Sequence, residues 1–419
     1  MRRWILGLLA AGACRTPAEP IPTPLEPPAQ AVRPTEVSPD PPPSLPPLAR
    51  ALQTAEERWL AVPDGPDLDR LANPGISDAS YKNIDEWLAR ARRQLETLRT
   101  TDPAYSELVY SIGITAAGAA AYFDRRAAAG HEAADAEAQR HRLDAIDTLS
   151  RFADEQALLA FKNRDRAFYE LATTLVAAKK YSEAQTAYAR LIADHPKSAL
   201  APIAQLGLGG AHLAAGDVAS AEAIYERVSA ATRLPYRAYA LYQLGWAALQ
   251  TGPGVEPRWQ LARQRWLAAI EASREDTTYT RFERGLRAAV RRSLPRVQIE
   301  LGTVEDALAF FDETAARSSR DDIRMEQAEL LAYGLLVRGR SADAAAVWTT
   351  LIDRVPKARA RWRWEYWRVV AVAATGERQD LRAALEMLSD HASRFPGGTD
   401  EHGVQRDHYL GEAKALASP

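Results

Sequence analysis

Residues 165–196 read DRAFYELATTLVAAKKYSEAQTAYARLIADHP, and the reading of this stretch decides the fold. Phe168, Leu171 and Ala172 recur at helical spacing. The turn Ala178-Lys179-Lys180-Tyr181 follows, then Ala184, Tyr188 and Leu191, and Pro196 ends the run. This is the pattern of two amphipathic helices joined by a tight turn. Small residues stand where the two helices must approach, Ala172 on the first and Ala184 on the second. The larger Tyr188 lies one turn further on, where a gap to the next element has to be filled. The arrangement recurs downstream. Leu208, Gly209, the turn Gly216-Asp217, Ala221, Tyr225 and Pro235 form a second copy. Leu244, Gly245, Ala262, Trp266 and Ala269 form a third, with an insertion around Gly252-Pro253-Gly254. Weaker copies are marked by Ala307 and Phe311 after Gly302-Thr303, by Ala344, Trp348, Leu351 and Pro356 after Gly339-Arg340, and by Ala384, Leu388 and Pro396. The marker alanines lie 37, 41, 45, 37 and 40 residues apart, a repeat length with variable loops.

This pattern resembles the tetratricopeptide repeat, a helix-turn-helix unit of about 34 residues. The resemblance covers Asp165 to about Pro396. It implies an all-α, right-handed superhelical solenoid of helical hairpins, an array of about six units over residues 161–398. Pro295 falls inside the first helix of the fourth unit, where it should kink the helix. In the sixth unit Trp364 and Trp367 fit a register shifted by a few residues. Nowhere do β-branched residues alternate as they would in a strand.

Residues 48–160 are expected to form further helical hairpins that cap or extend the array, and residues 399–419 a C-terminal tail. Ile84, Trp87, Leu88, Ala91, Leu95 and Leu98 share one helical face. Leu108–Phe123 carries no charge but is dominated by Ala, Gly, Ser and Thr. That composition suits a buried, closely packed helix better than a membrane span.

The N-terminus reads as a targeting segment. Met1-Arg2-Arg3 is a basic start, Trp4–Ala11 a short apolar run, and Ala11-Gly12-Ala13 a small-residue tripeptide before Cys14, the sole cysteine. The order, a signal peptide over 1–13 and then Cys14, is similar to a bacterial lipobox, in which the cysteine is acylated. Ala11 stands where Leu is usual. Ala-x-Ala also suits ordinary cleavage, which would give a soluble periplasmic form. Arg15-Thr16, rather than an Asp, follows the cysteine, which in such lipoproteins implies the outer membrane. Half of the chain's 26 prolines lie between Pro17 and Pro47. Residues 14–47 therefore read as an extended Pro-rich tether, about 3.1 Å per residue.

Composition restricts the chemistry. The 419 residues carry 53 basic and 55 acidic side chains, net charge −2, which argues against a bulk attraction to nucleic acid and leaves local patches open. A lone cysteine allows no intramolecular disulfide. Seven histidines are scattered. Only His402 and His408, with Asp400, Glu401 and Asp407, form a ligand-like cluster, in a polar stretch where such groups are usually solvated. Gly207-Leu208-Gly209-Gly210 follows no strand and lacks the Lys of a phosphate loop. No nucleophile has a base motif around it. Two stretches interleave arginine with other types: Arg281, Arg284, Arg287, Arg291, Arg292 and Arg296, and Lys357–Arg368 with Trp362, Trp364, Tyr366 and Trp367. Here Trp364 and Trp367 are expected as core residues and most arginines as solvated.

The resemblance also supplies a site. In tetratricopeptide arrays the first helix of each unit lines an inner groove. The matching positions here are Arg166, Tyr169 and Thr173 in the first unit, and Tyr239, Tyr242 and Trp246 in the third. They are Arg292 and Arg296 in the fourth, and Glu329 and Tyr333 in the fifth. The expected groove residues are therefore Arg166, Tyr169, Tyr239, Tyr242, Trp246, Arg292, Arg296 and Tyr333, with Cys14 as lipidation site. The expectation is a non-enzymatic scaffold without cofactor or metal. It would bind protein or peptide partners, reach the membrane through acyl chains on Cys14, and engage neither nucleic acid nor a small-molecule substrate. The layout is similar to outer-membrane repeat lipoproteins facing the periplasm.

Overall fold

A computed structural model describes residues 46–60, 84–131, 133–231, 236–250, 255–274, 280–316, 321–355, 360–394, 399–400 and 404–416. The expected signal peptide, Cys14, nearly all of the tether, the Gly252-Pro253-Gly254 insertion, Glu401 and His402 lie outside the described residues. The chain divides into two compact units, one of Pro63–Val297 and one that joins Met1–Val62 to Gln298–Pro419. Helix α1 (Pro47–Leu60) belongs to the second.

The middle unit runs through α2 (Ile84–Thr97), α3 (Pro103–Ala128), α4 (Ala134–Asp154), α5 (Arg164–Ala177), α6 (Tyr181–Asp194), α7 (Ala201–Ala214), α8 (Val218–Ala230), α9 (Tyr236–Leu249), α10 (Trp259–Arg274) and most of α11 (Thr280–Leu301). Each helix from α2 to α10 packs against the next. The first helices of successive hairpins, α3, α5, α7 and α9, also touch one another, which is how repeat units stack. The uncharged stretch of α3 is buried as composition suggested: a Cβ on Gly113 would lie 2.5 Å from Leu149 of α4, so the glycine sets the closeness of that pair. Among the described residues no helix is long and apolar enough to cross a membrane.

The turns of the hairpins share one device. A residue just past the end of the first helix takes a left-handed backbone at Gly216 (φ 84°), Gly339 (φ 71°) and Gly376 (φ 82°), and in the first hairpin at Lys179 (φ 61°). Three of the four positions avoid the roughly 1–2 kcal/mol that an L side chain costs there. Asp217 then caps α8, its Oδ1 accepting from the Ser220 backbone N–H at 3.1 Å.

Packing follows the marker residues. Ala172, Ala184, Ala221, Ala262, Ala307, Ala344 and Ala384 are all buried. Against these small positions lie large ones. Tyr188 of α6 covers Gly207 of α7, Tyr225 of α8 covers Gly209, and Trp266 of α10 covers Gly245 of α9. Tyr188 thus fills the gap between units, and Gly207-Gly210 is helix α7, not a loop. Helix α11 continues through Pro295 without interruption.

The second unit contains α1, the end of α11, α12 (Val304–Ala316), α13 (Asp321–Val337), α14 (Ser341–Arg354), α15 (Arg361–Thr375), α16 (Arg378–Arg394) and α17 (Arg406–Leu416). Consecutive helices from α12 to α17 pack together, and α17 also packs on α15. The stretch expected as a tail therefore carries a folded helix. Helix α1 lies on α13, α15 and α17. Its contact stripe, Ala51, Ala55 and Trp59, has a four-residue period.

Candidate functional site

Helix α9 carries Tyr239, Tyr242 and Trp246 on one strip, as spacings of three and four require. Their rings form an edge-to-face row. Tyr239 and Tyr242 are 6.3 Å apart at 62°, and Tyr242 and Trp246 are 6.4 Å apart at 87°. Trp246 meets Trp266 at 5.2 Å and 65°. Phe282 of α11 continues the row, 6.3 Å from Tyr239. The Trp266 Nε1–H donates to the Tyr242 carbonyl at 3.0 Å, which fixes α10 on α9. Tyr239 and Tyr242 are buried, at 7% and 3% exposure, and burial pushes the Tyr242 phenol pKa up. Trp246 is half-buried. The Arg296 guanidinium lies over its ring, 5.8 Å from the centroid. Arg292, one turn earlier on α11, is exposed. What this unit presents is thus Trp246, Arg292 and Arg296, with Tyr239 and Tyr242 as the packing beneath them.

The remaining expected groove residues sit elsewhere. Arg166 is half-buried on α5, 3.6 Å from Glu170 one turn on. Tyr169 is 2% exposed and packs edge-on against Tyr188 at 6.2 Å. Tyr333 of α13 is equally buried. It meets Trp348 at 5.2 Å and Trp367 at 4.9 Å, and its hydroxyl accepts from Arg58 Nη1 of α1 at 2.7 Å. The inward position of a first helix is also where it meets its neighbours, so spacing alone cannot separate a groove-facing ring from a packed one.

In the Arg- and Trp-rich stretch, Trp364 and Trp367 are core residues as expected. The arginines depart from expectation, for Arg363 and Arg368 are buried too. Arg363 donates to both carboxylate oxygens of Glu329, at 2.6 and 2.8 Å, and Trp364 Nε1–H donates to the same group at 2.5 Å. Asp400, taken in sequence as solvated, is 2% exposed. It accepts from the Tyr409 hydroxyl at 2.6 Å and the Val404 N–H at 2.9 Å, and Arg363 is 3.8 Å away. His391 pairs with Glu365 at 2.8 Å and stacks on Trp362 at 3.9 Å. These groups hold α13, α15, α16 and the 399–416 segment together. On α11, Arg287 donates to the Ser273 carbonyl at 3.0 Å and lies 3.8 Å from Glu283.

The metal-capable group among the described residues, Asp85, Glu137 and His141, already contains a cation. Arg140 Nη2 lies 2.7 Å from Asp85, 2.6 Å from Glu137 and 3.1 Å from His141 Nε2. Burial, helped by Arg140, lowers the His141 pKa.

The family model described as tetratricopeptide repeat matches residues 169–233, from the middle of α5 to just beyond α8. The chain carries tetratricopeptide repeats, and repeats of this class point to a scaffold for protein–protein interaction. No curated protein matches the chain. A crystal structure of a tetratricopeptide repeat protein from Parabacteroides merdae is similar at 14% identity, over 70% of this chain and 98% of that one. Its TM-score of 0.35 makes it a loose likeness from which nothing further follows.

Proposed function

We propose that the protein is a non-enzymatic adaptor of the bacterial cell envelope, anchored in the outer membrane by acyl chains on Cys14 and facing the periplasm. It grips a protein or peptide partner on Trp246, Arg292 and Arg296, with Arg166 on the first helix of an earlier hairpin. The supporting observation is the Trp246–Arg296 stack. An aromatic ring and a guanidinium stand together, part open, on the inward-phased positions of adjacent first helices, and these are the types that concentrate binding energy. A partner segment with acidic and aromatic side chains fits that surface. The reading of the N-terminus supports the envelope assignment. A single acyl chain holds a membrane marginally, so stable anchoring requires the several chains of a mature lipoprotein.

The test is crosslinked co-purification from cells expressing the unmodified chain, the Trp246→Ala/Arg296→Ala double variant or Cys14→Ala. Loss of the partner from the double variant with an unchanged melting temperature is the expected result. A large fall in melting temperature would place Trp246 in the core and the surface elsewhere. Cys14→Ala should move the folded chain from the membrane fraction to the soluble one. Membrane association that persists in that variant removes the lipid anchor. A chain that is soluble even unmodified is the form that ordinary cleavage after Ala13 would give.

A further inference from the structure

Within the second unit, the inward-phased face of α13, which carries Tyr333, is covered by α1, a helix from the other end of the chain. The bond from Arg58 to Tyr333 spans 275 residues of sequence. The Arg58 guanidinium lies over two rings at once, 5.3 Å from the Tyr333 centroid and 5.5 Å from that of Trp367. Beside it Trp59 rests on Gly334, where a Cβ would come within 2.6 Å of the indole. Further along, Tyr366 of α15 and Tyr409 of α17 meet at 5.5 Å. Burial pushes the Tyr366 phenol up to about 12; Glu412 adds to that rise, while Arg50 and Arg58 of α1 oppose it. The bed is therefore aromatic with an acidic neighbour, and the helix upon it brings two arginines, balanced in charge by Glu56 and Glu57, and one aromatic anchor.

Helix α1 holds this place by a short buried stripe. It has 14 residues, and its buried stripe is two alanines and one tryptophan. A helix of that length is marginal in water on its own, so its order depends on docking. Alanines permit close approach but bury little apolar area, which leaves the adjacent Arg58 and Trp59 as the grip. Helices α12 to α17 pack among themselves without it.

We propose that α1 is a built-in ligand of the second unit's inward face and that it exchanges with a partner helix of the same chemistry. Such a partner is an amphipathic helix with small residues on one stripe, ending in an Arg–aromatic pair. This is helix-in-groove recognition, with the groove filled in cis until a partner competes. An intramolecular segment acts at an effective concentration of about millimolar, so the partner must bind tightly or be presented locally. The surface is separate from the Trp246–Arg296 stack, and either reading stands if the other fails.

The test uses a fluorescent peptide of residues 46–60 against the full chain. The Trp59→Ala chain, whose own helix has lost its anchor, should bind this peptide at least about tenfold more tightly than the unmodified chain. A peptide carrying the same substitution should not bind. Equal binding by both chains overturns the proposal, as does no binding by a folded Trp59→Ala chain. Hydrogen exchange on the unmodified chain supplies an arm that needs no variant and decides alone if Trp59→Ala fails to fold. Amides of α1 should exchange faster than those of α13 and α15, and faster still with excess peptide. Exchange of α1 in step with α13 and α15, whether or not peptide is present, makes α1 an ordinary core helix and ends the proposal.

Discussion

In the middle unit the aromatic residue of a hairpin's second helix lands on a glycine of its first, Tyr225 on Gly209 and Trp266 on Gly245. In the second unit the glycine of α13, Gly334, is covered by Trp59 from a distant helix, while Trp348 of α14 lies against Tyr333. The first arrangement is local, since everything it needs lies within one hairpin and its neighbour. The second adds a distant helix, α1, to the local pair of α13 and α14. Polar content differs in the same sense. Helix α9 buries tyrosines and alanines, whereas α15 buries Arg363, Glu365 and Arg368 among its tryptophans. A unit that packs by local small-against-large contacts keeps a recognisable pattern, and the family match falls there, on residues 169–233. A unit held by long-range ion pairs and stacked rings is free to lose that pattern.

The largest effect that would break this comparison is truncation of a packed indole. Trp266→Ala should cost about 3–5 kcal/mol, read by chemical or thermal unfolding. The finer form compares Trp266→Phe with Trp348→Phe. Both indoles are fully buried, but Trp266 donates to the Tyr242 carbonyl while Trp348 Nε1 has no acceptor among the described residues. Trp266→Phe should therefore cost about 1 kcal/mol more, because only that variant removes a buried hydrogen bond. Equal costs would mean that the bond contributes nothing net to the middle unit.

Next in size is the ionic core of the second unit. Arg363→Ala leaves the buried Asp400 and the half-buried Glu329 without their cation, and should cost about 3 kcal/mol. Arg394→Ala removes a pair whose members are 70% and 54% exposed and should cost less than about 1 kcal/mol. Similar losses for the two would show that Glu329 and Asp400 find water or other donors, and that the second unit does not rest on its ion pairs.

The sequence made the hairpins legible because their signal is local. Alanine markers, a left-handed turn residue and one aromatic per second helix fall within a single repeat length. Trp364 and Trp367 could be assigned to the core for the same reason. The burial of Arg363, Arg368 and Asp400 could not, since a charged residue is hidden only by its partners, and these lie far away in sequence. Glu329 is 34 residues from Arg363. The docking of α1 was invisible on the same ground. A short amphipathic helix after a Pro-rich stretch carries no mark of the surface it will meet. Of the groove, Trp246, Arg292 and Arg296 remain at least partly open, while Tyr169, Tyr239, Tyr242 and Tyr333 are packed, and periodicity treats the two sets alike.

The smallest effect sharpens the local half of the comparison to neighbouring residues. Gly209 and Gly210 both lie inside α7, and both cost backbone entropy there relative to alanine. They differ in what a methyl group would meet. At Gly209 it would stand 2.8 Å from the Tyr225 ring, which is 1% exposed and has nowhere to swing. Gly209→Ala should then force α8 away and cost about 1–2 kcal/mol. At Gly210 the nearest atom is the Tyr225 hydroxyl at 3.5 Å, an ordinary contact. Gly210→Ala should stabilise by about 0.5–1 kcal/mol, by restricting the unfolded chain and improving helix propensity. The opposite signs follow only if the Tyr225-on-Gly209 contact sets the distance between α7 and α8. Two variants of like sign in a thermal unfolding series would show that the spacing of this hairpin is set elsewhere, and the small-against-large rule would lose its best-placed example.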